Sequence, residues 1–597
     1  MSISVYDKLE TKISSLRKML SKTDTESLLF IIAEEFGNMT TPSEDIFTKT
    51  NLSSPFKQYM YVIGLILSSE ENEKVTILQE DRMERIKRNL NEIVDLYSEL
   101  FEPEDEEDVN EQWIKSREIS MQVFLNYFNT NYLTYEEQVI DRLNEWFLPY
   151  SDYIKSQMSI SVEELINIHL FIQNKLQEKL DNIKSLQEKA QGDQAIIFNY
   201  VKKNGGTFEQ ARKNLYLANM EKFDRELQLM PRLEVAELRN EFGEEVAERF
   251  IELFSMEREK RDFFYYTETN PFEKSPIWKK SDNLLFIPIQ KQIIHAIYIQ
   301  LSSLMENSKL KLSFYKNRDN QTEKKAGNIF KGFFKEKANY YTSVFEDNQS
   351  QNEHDLVIEF ENYLLIVEVK ASKVKEPFRN PDKAFKRIKG DFNSDGGIQK
   401  AYNQANNLKN IINSKEKTVL YNSKGDELVT LERSKIQKVY SIVVTAEEMG
   451  ILAVNLSYLL TKESGEQYPW ATNIFDLETG LEGIKYMNKD QYEFLNYLDE
   501  REKYHPQFIT TDELEILGHY LENGSFENLE VSNHFIFFDP NFSMLFDDIY
   551  FEKGGFIPPS IAIESSRSKK QFNPNKKKPG KKKNKRKQAK KSRKGNR

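Results

Sequence analysis

Residues 353–372 read EHDLVIEFENYLLIVEVKAS, and this stretch decides the fold. Asp355 opens one strand, whose apolar residues are Leu356, Val357, Ile358 and Phe360, and Glu361-Asn362 makes a turn. Leu364 to Val369 is an apolar run broken only by Glu368, as in a strand buried on both faces. Strand side chains alternate, so Glu368 and Lys370 share one face while Val367 and Val369 take the other. An acid and a lysine at the end of a buried strand need compensation, because uncompensated buried charge is costly. A divalent metal held by Asp355 and Glu368, with Lys370 facing a phosphate, supplies it. The alternative is an ion pair at a strand end without chemistry, with Asp355 as a turn residue.

The arrangement resembles the PD-(D/E)xK, restriction-endonuclease-like nuclease superfamily. Its pattern is an acid, a variable gap, then (D/E)-x-K closing a core strand. Here Asp355 is followed by a gap of 12 residues (356–367), then Glu368-Val369-Lys370. His354 stands where proline often precedes the acid. A bare acid and E-x-K pair occurs often by chance, and the flanks strengthen it. Upstream, residues 322–333 read as a helix with Ala326, Ile329, Phe330 and Phe333 on one face. The resemblance implies a glutamate there that faces the metal, and Glu323 fits. Downstream, Gly396-Gly397 opens a second helix. The resemblance implies a glutamine on it, with Gln399 the better match and Gln404 a possible partner. The RecB-like subgroup spaces this motif Q-x-x-x-Y, whereas the chain has Gln399-x-x-Tyr402. The order helix, strand, strand with E-x-K, helix, strand is the superfamily's, the last strand being 439–445.

What the resemblance implies is a metal-dependent phosphodiesterase. Asp355 and Glu368 would hold Mg²⁺ or Mn²⁺, hard cations that prefer oxygen, with the Val369 backbone carbonyl and Glu323 as further ligands. Lys370 would orient a water or stabilise charge on the phosphoryl oxygens, and Gln399 completes the catalytic set. Lys386, Arg387 and Lys389 follow in a polar loop that reads as a solvated face more readily than a phosphate track.

The 597 residues are too many for one core. With no cysteine, disulfides, thiolate zinc sites and a cysteine nucleophile are excluded, and a cytoplasmic location fits. The six histidines form no H-E-x-x-H or other close metal pair. For His354, a structural role outweighs contact with phosphate. There is no phosphate-binding or dinucleotide-binding glycine motif, and no apolar run of the ~20 residues a membrane span needs. The N-terminus is an amphipathic helix pattern with acids, unlike a secretory signal.

Charge divides sharply. Of 84 basic residues, 17 fall in 567–597 with no acid among them, leaving residues 1–566 with 67 against 95 acids, a net of −28. The lysine-rich tail has one phenylalanine and nothing to build a core, so it reads as disordered and as a sequence-independent anchor on nucleic acid.

The fold class expected is a restriction-endonuclease-like α/β core of mixed sheet and flanking helices. A large, mainly helical region of residues 1–300 precedes it, for regulation, a protein partner or homo-oligomer contacts. The nuclease domain spans 312–555 and the tail 566–597. Within the first part, residues 101–108 form an acidic loop, Gly205-Gly206 a break, and the aromatic stretch 263–280 a junction. Late in the chain, 468–477 reads as a strand and 511–521 as a helix capped by Thr510 or Thr511. The expected activity is hydrolysis of nucleic acid, DNA ahead of RNA, with no membrane association. A role in defence or genome maintenance is implied by resemblance only. The competing reading is a nucleic-acid-binding or scaffold protein on a non-catalytic nuclease fold.

Overall fold

The computed structural model describes residues 4–553 apart from 38–49, 72–73, 104–107, 130–133, 191–193, 350–351, 374, 378–380, 511, 528 and 530–534. The basic tail, residues 104–107 of the acidic loop and Thr511 therefore lie outside the described residues.

The first 300 residues are mainly helical. The Glu80–Glu99 helix buries Met83, Ile86, Leu90, Ile93, Val94 and Tyr97, spaced so that they share one face. The Pro55–Leu67 helix is buried nearly all round, as its apolar sequence requires. Phe263, Tyr266, Phe272 and Trp278 join the same core, so the aromatic stretch packs inside it and marks no junction. One feature of this half departs from the helical expectation. Four short strands, β1 (Arg232–Glu234), β2 (Ser255–Met256), β3 (Ile277–Ser281) and β4 (Leu284–Phe286), form a sheet in the order β1-β4-β3-β2. Strands of two to five residues are too short for alternation to show.

The second sheet has seven strands: β5 (Ala338–Phe345), β6 (Glu353–Phe360), β7 (Tyr363–Lys370), β8 (Lys417–Tyr421), β9 (Glu427–Glu432), β10 (Lys438–Thr445) and β11 (Trp470–Asn473). Their order is β11-β10-β7-β6-β5-β8-β9. β6 and β7 form the expected antiparallel hairpin, with Glu361 in the turn at φ 53°. β7 pairs in parallel with β10 along its whole length, from Tyr363↔Lys438 to Lys370↔Thr445, and β11 continues in parallel. A strand paired on both sides and covered on both faces has no solvent face, which explains the apolar run.

Each face has its own helix. Leu356, Ile358, Leu365, Val367 and Val369 pack with Ala326, Phe330 and Phe333 of the upstream helix, Lys311–Phe334. Val357, Leu364 and Ile366 pack with Ala405, Leu408 and Ile412 of the downstream helix, Ile398–Ser414. The expected order of helix, strands, helix and strand is thus present. β5 stands before the hairpin, a Pro381–Phe392 helix takes the place of the expected polar loop before the downstream helix, and β8–β9 stand between the downstream helix and β10.

Two local expectations change. The 468–477 segment is a strand only to Asn473, whose side chain accepts from the Phe475 and Asp476 N–H groups and starts the Ile474–Tyr486 helix. The later helix is Glu513–Asn523, and its cap is Asp512, whose Oδ1 accepts from Leu514 N at 2.8 Å.

The helical half is bound to this sheet directly. Arg142, in the Glu136–Phe147 helix, reaches Glu447 at 3.3 Å and the Ala446 carbonyl just past β10, and its guanidinium lies 4.1 Å from the Phe475 ring centre. Gln138 donates to the Phe475 carbonyl and to Glu478, each at 3.1 Å. Lys325 of the upstream helix lies between Asp141 and Glu478. The described residues up to Lys553 pack as one unit. No described helix is long and apolar enough to cross a membrane.

Candidate active site at the open end of the hairpin

The last register pair of the hairpin is Leu356↔Val367, and one step further sets Asp355 opposite Glu368. There the ladder stops. Asp355 Oδ2 instead accepts from the Val369 N–H at 2.6 Å, satisfying a backbone donor beyond the end of the β6–β7 pairing. Glu368 is fully buried. Its Oε1 bonds His354 Nδ1 at 2.7 Å, and its Oε2 has no hydrogen-bond partner, with Lys370 Nζ 3.8 Å away. Lys370 Nζ donates to Gln404 Oε1 at 3.0 Å.

Among the residues singled out from sequence, Asp355, Glu368, Lys370 and Glu323 come together. Glu323 enters from the upstream helix close enough to feel Asp355, Glu353, Asp319 and Lys370. Gln399 does not join them. Its amide is spent on the Thr461 backbone, accepting from N at 2.8 Å and donating to O at 2.9 Å. Gln404 is the downstream-helix glutamine at the site.

Sequence reasoning also passed over the partner of Glu368. His354 is buried, and its Nε2 lies 3.0 Å from Glu346 Oε1. Glu346 in turn accepts from Asn407 Nδ2 at 2.7 Å and Asn352 Nδ2 at 3.1 Å. Only the unusual histidine before the acid signalled this chain.

The electrostatics are those of carboxylates short of positive charge. Burial raises the pKa of Asp355 against the pull of Lys370 and the Val369 N–H, and Glu353 adds to the rise. Burial also raises Glu368; the His354 hydrogen bond opposes it and Asp355 reinforces it. Glu323 is pushed to about 7 by burial, then by Asp355 and Glu353. Burial works to lower His354, but its hydrogen bonds to Glu346 and Glu368 win and raise it to about 9. The His354 bridge is therefore an imidazolium at neutral pH.

Among the described residues, no three or more His, Asp or Glu side chains group as a metal cage. Mg²⁺ seldom uses one: it takes one or two carboxylates and fills the remaining positions with water and substrate phosphate. Asp355 and Glu368 Oε2, an oxygen with no hydrogen-bond partner, offer that minimal donor set. The residues fit a hard cation completed by water and phosphate, and do not fit a closed zinc-type site. No family model matches the chain, and neither does any curated protein or solved structure.

Proposed function

We propose that the chain is a metal-dependent nuclease of the restriction-endonuclease-like kind, hydrolysing phosphodiester bonds of nucleic acid. The observation that carries this reading is Glu368 Oε2, a buried carboxylate oxygen with no hydrogen-bond partner beside Asp355 and Lys370. Leaving such a group unsatisfied costs about 1–3 kcal/mol or more, and a ligand completes it. The β5-β6-β7-β10 arrangement between the upstream and downstream helices supports the same reading.

A divalent cation on Asp355, Glu368 and the Val369 carbonyl would polarise the phosphoryl group and lower the pKa of a bound water. The remaining roles belong to the chain. Lys370, held by Gln404, presents a compact positive charge to the phosphate oxygens as charge builds there. Glu323, raised to about 7 by burial and by Asp355 and Glu353, would exchange a proton with a water bound at the site. The basic 567–597 segment would add non-specific affinity through counterion release.

The test is incubation of the full chain with plasmid, linear duplex, single-stranded DNA and RNA in Mg²⁺ or Mn²⁺, beside Glu368→Ala and Lys370→Ala. Cleavage lost in both variants and with a chelator supports the reading. Salt-sensitive binding without cleavage by folded wild type would favour a non-catalytic nucleic-acid-binding protein.

A further inference from the structure

A chain of side chains runs inward from the surface to Glu368. Asn407 of the downstream helix and Asn352 hold Glu346; Glu346 holds His354 Nε2; His354 Nδ1 holds Glu368 Oε1. His354 is 1 % exposed and Glu368 0 %, so both contacts are made out of water, where hydrogen bonds to charged groups are strong. The two imidazole nitrogens face two carboxylates, which fixes the ring's rotation about its bonds. The ring in turn fixes the Glu368 carboxylate, committing Oε1 inward and leaving Oε2, 3.8 Å from Lys370 Nζ, as the oxygen without a hydrogen-bond partner.

We infer that His354 is a positioning residue, held by Glu346, that dedicates one oxygen of Glu368 to the fold and presents the other to the metal and substrate. This rests on the nuclease reading of the site. Glu368 then acts through one oxygen only. A carboxylate free to rotate would offer either oxygen, or neither, to a cation beside Asp355. Histidine suits the task because it holds both carboxylates at once across a fixed width, which a flexible chain does not. Partners that orient a ligating group in this way commonly account for about 10–100-fold in metal affinity or activity.

The experiment titrates Mn²⁺ calorimetrically into the full chain and into Glu368→Gln, His354→Leu and Glu346→Gln, with circular dichroism and melting curves to establish folding. Cleavage of a duplex is followed in parallel. The expected result is Mn²⁺ binding that Glu368→Gln abolishes, that His354→Leu weakens by about 10–100-fold, and that Glu346→Gln weakens by a smaller factor in the same direction. Cleavage at subsaturating Mn²⁺ falls in the same order and recovers partly when Mn²⁺ is raised, a recovery that a merely structural defect would not give. If His354→Leu does not fold, Glu346→Gln decides the question, since it weakens the grip on His354 without opening the core. Wild-type Mn²⁺ affinity and cleavage in folded His354→Leu, or in Glu346→Gln where His354→Leu does not fold, would overturn the inference and leave the nuclease reading standing. Absence of any Mn²⁺ binding that depends on Glu368 would overturn both.

Discussion

Lys370 and Gln404 meet at 3.0 Å, and the pairing makes the lysine's position depend on the downstream helix. Gln404→Ala releases the ammonium without opening the core. It is expected to lower kcat by about tenfold, with an unchanged melting temperature, since orientation is what is lost. Gln399→Ala has the opposite signature. It strips both Thr461 backbone groups of their partner, costing about 1–3 kcal/mol in urea unfolding while cleavage per folded molecule persists. Asp355, Glu368 and Lys370 were legible because they lie on consecutive strands, where alternation alone places them. The choice between Gln399 and Gln404 depends on how the helix is rotated against the sheet, which the local pattern left open. Glu346 was invisible: its partners lie 6, 8 and 61 residues away, and no local spacing pattern marks it.

At the level of elements, periodicity worked for the long segments around the hairpin but missed the Pro381–Phe392 helix, whose Lys386, Arg387 and Lys389 made it read as a polar loop. The upstream helix, both hairpin strands, the downstream helix and β10 stand where their apolar spacing put them. It failed where a polar side chain redirected the chain. Trp470 to Asp476 is rich in aromatic and β-branched residues, as a strand would be, yet Asn473 accepts two backbone N–H groups and its Nδ2 donates to Asp476 at 2.7 Å, so the strand turns into a helix there. Asn473→Ala should cost about 1 kcal/mol, as loss of a cap does, read as a lower urea midpoint with unchanged slope. The β8–β9 hairpin was not anticipated either. Its Asn422–Asp426 turn, bonded through Asn422 Oδ1 to Lys424 N and Asp426 N, is built from polar residues that read as loop.

Across the whole molecule, Arg142 ties the two halves. Removing its side chain leaves Glu447 with the Tyr298 hydroxyl and takes a donor from the Ala446 carbonyl. Losing hydrogen bonds to a partly buried carboxylate and a buried carbonyl costs about 1–3 kcal/mol, so Arg142→Ala is expected to lower the urea midpoint of both halves together, as one transition. Charge near this seam also sets a pH dependence. Burial, then Asp512 and Glu447, push Glu448 to about 8. Burial and Asp512 likewise push Glu515 to about 8. Unfolded, both lose their proton near 4.3. Between those limits the folded chain holds more protons, so stability falls as pH rises. His354, raised to about 9, adds the same sign above about 6.5, its unfolded value. Melting temperature should therefore decline between pH 6.5 and 8.5, and Glu448→Gln should flatten part of the decline.

β8 meets β5 at one register pair, Phe345↔Tyr421, whereas β7 and β10 share eight. So narrow a join is expected to let β8 and β9 open ahead of the rest of the sheet, although Leu420 and Leu431 share a core with Val357 and Ile366. Amides of β8 and β9 are then free to trade hydrogen for deuterium through a local opening, while β6, β7 and β10 stay protected until the whole chain unfolds. Glu346 follows Phe345 directly. The outermost link of the Glu346–His354–Glu368 chain thus sits on the boundary between the slow-exchanging and fast-exchanging parts of the sheet.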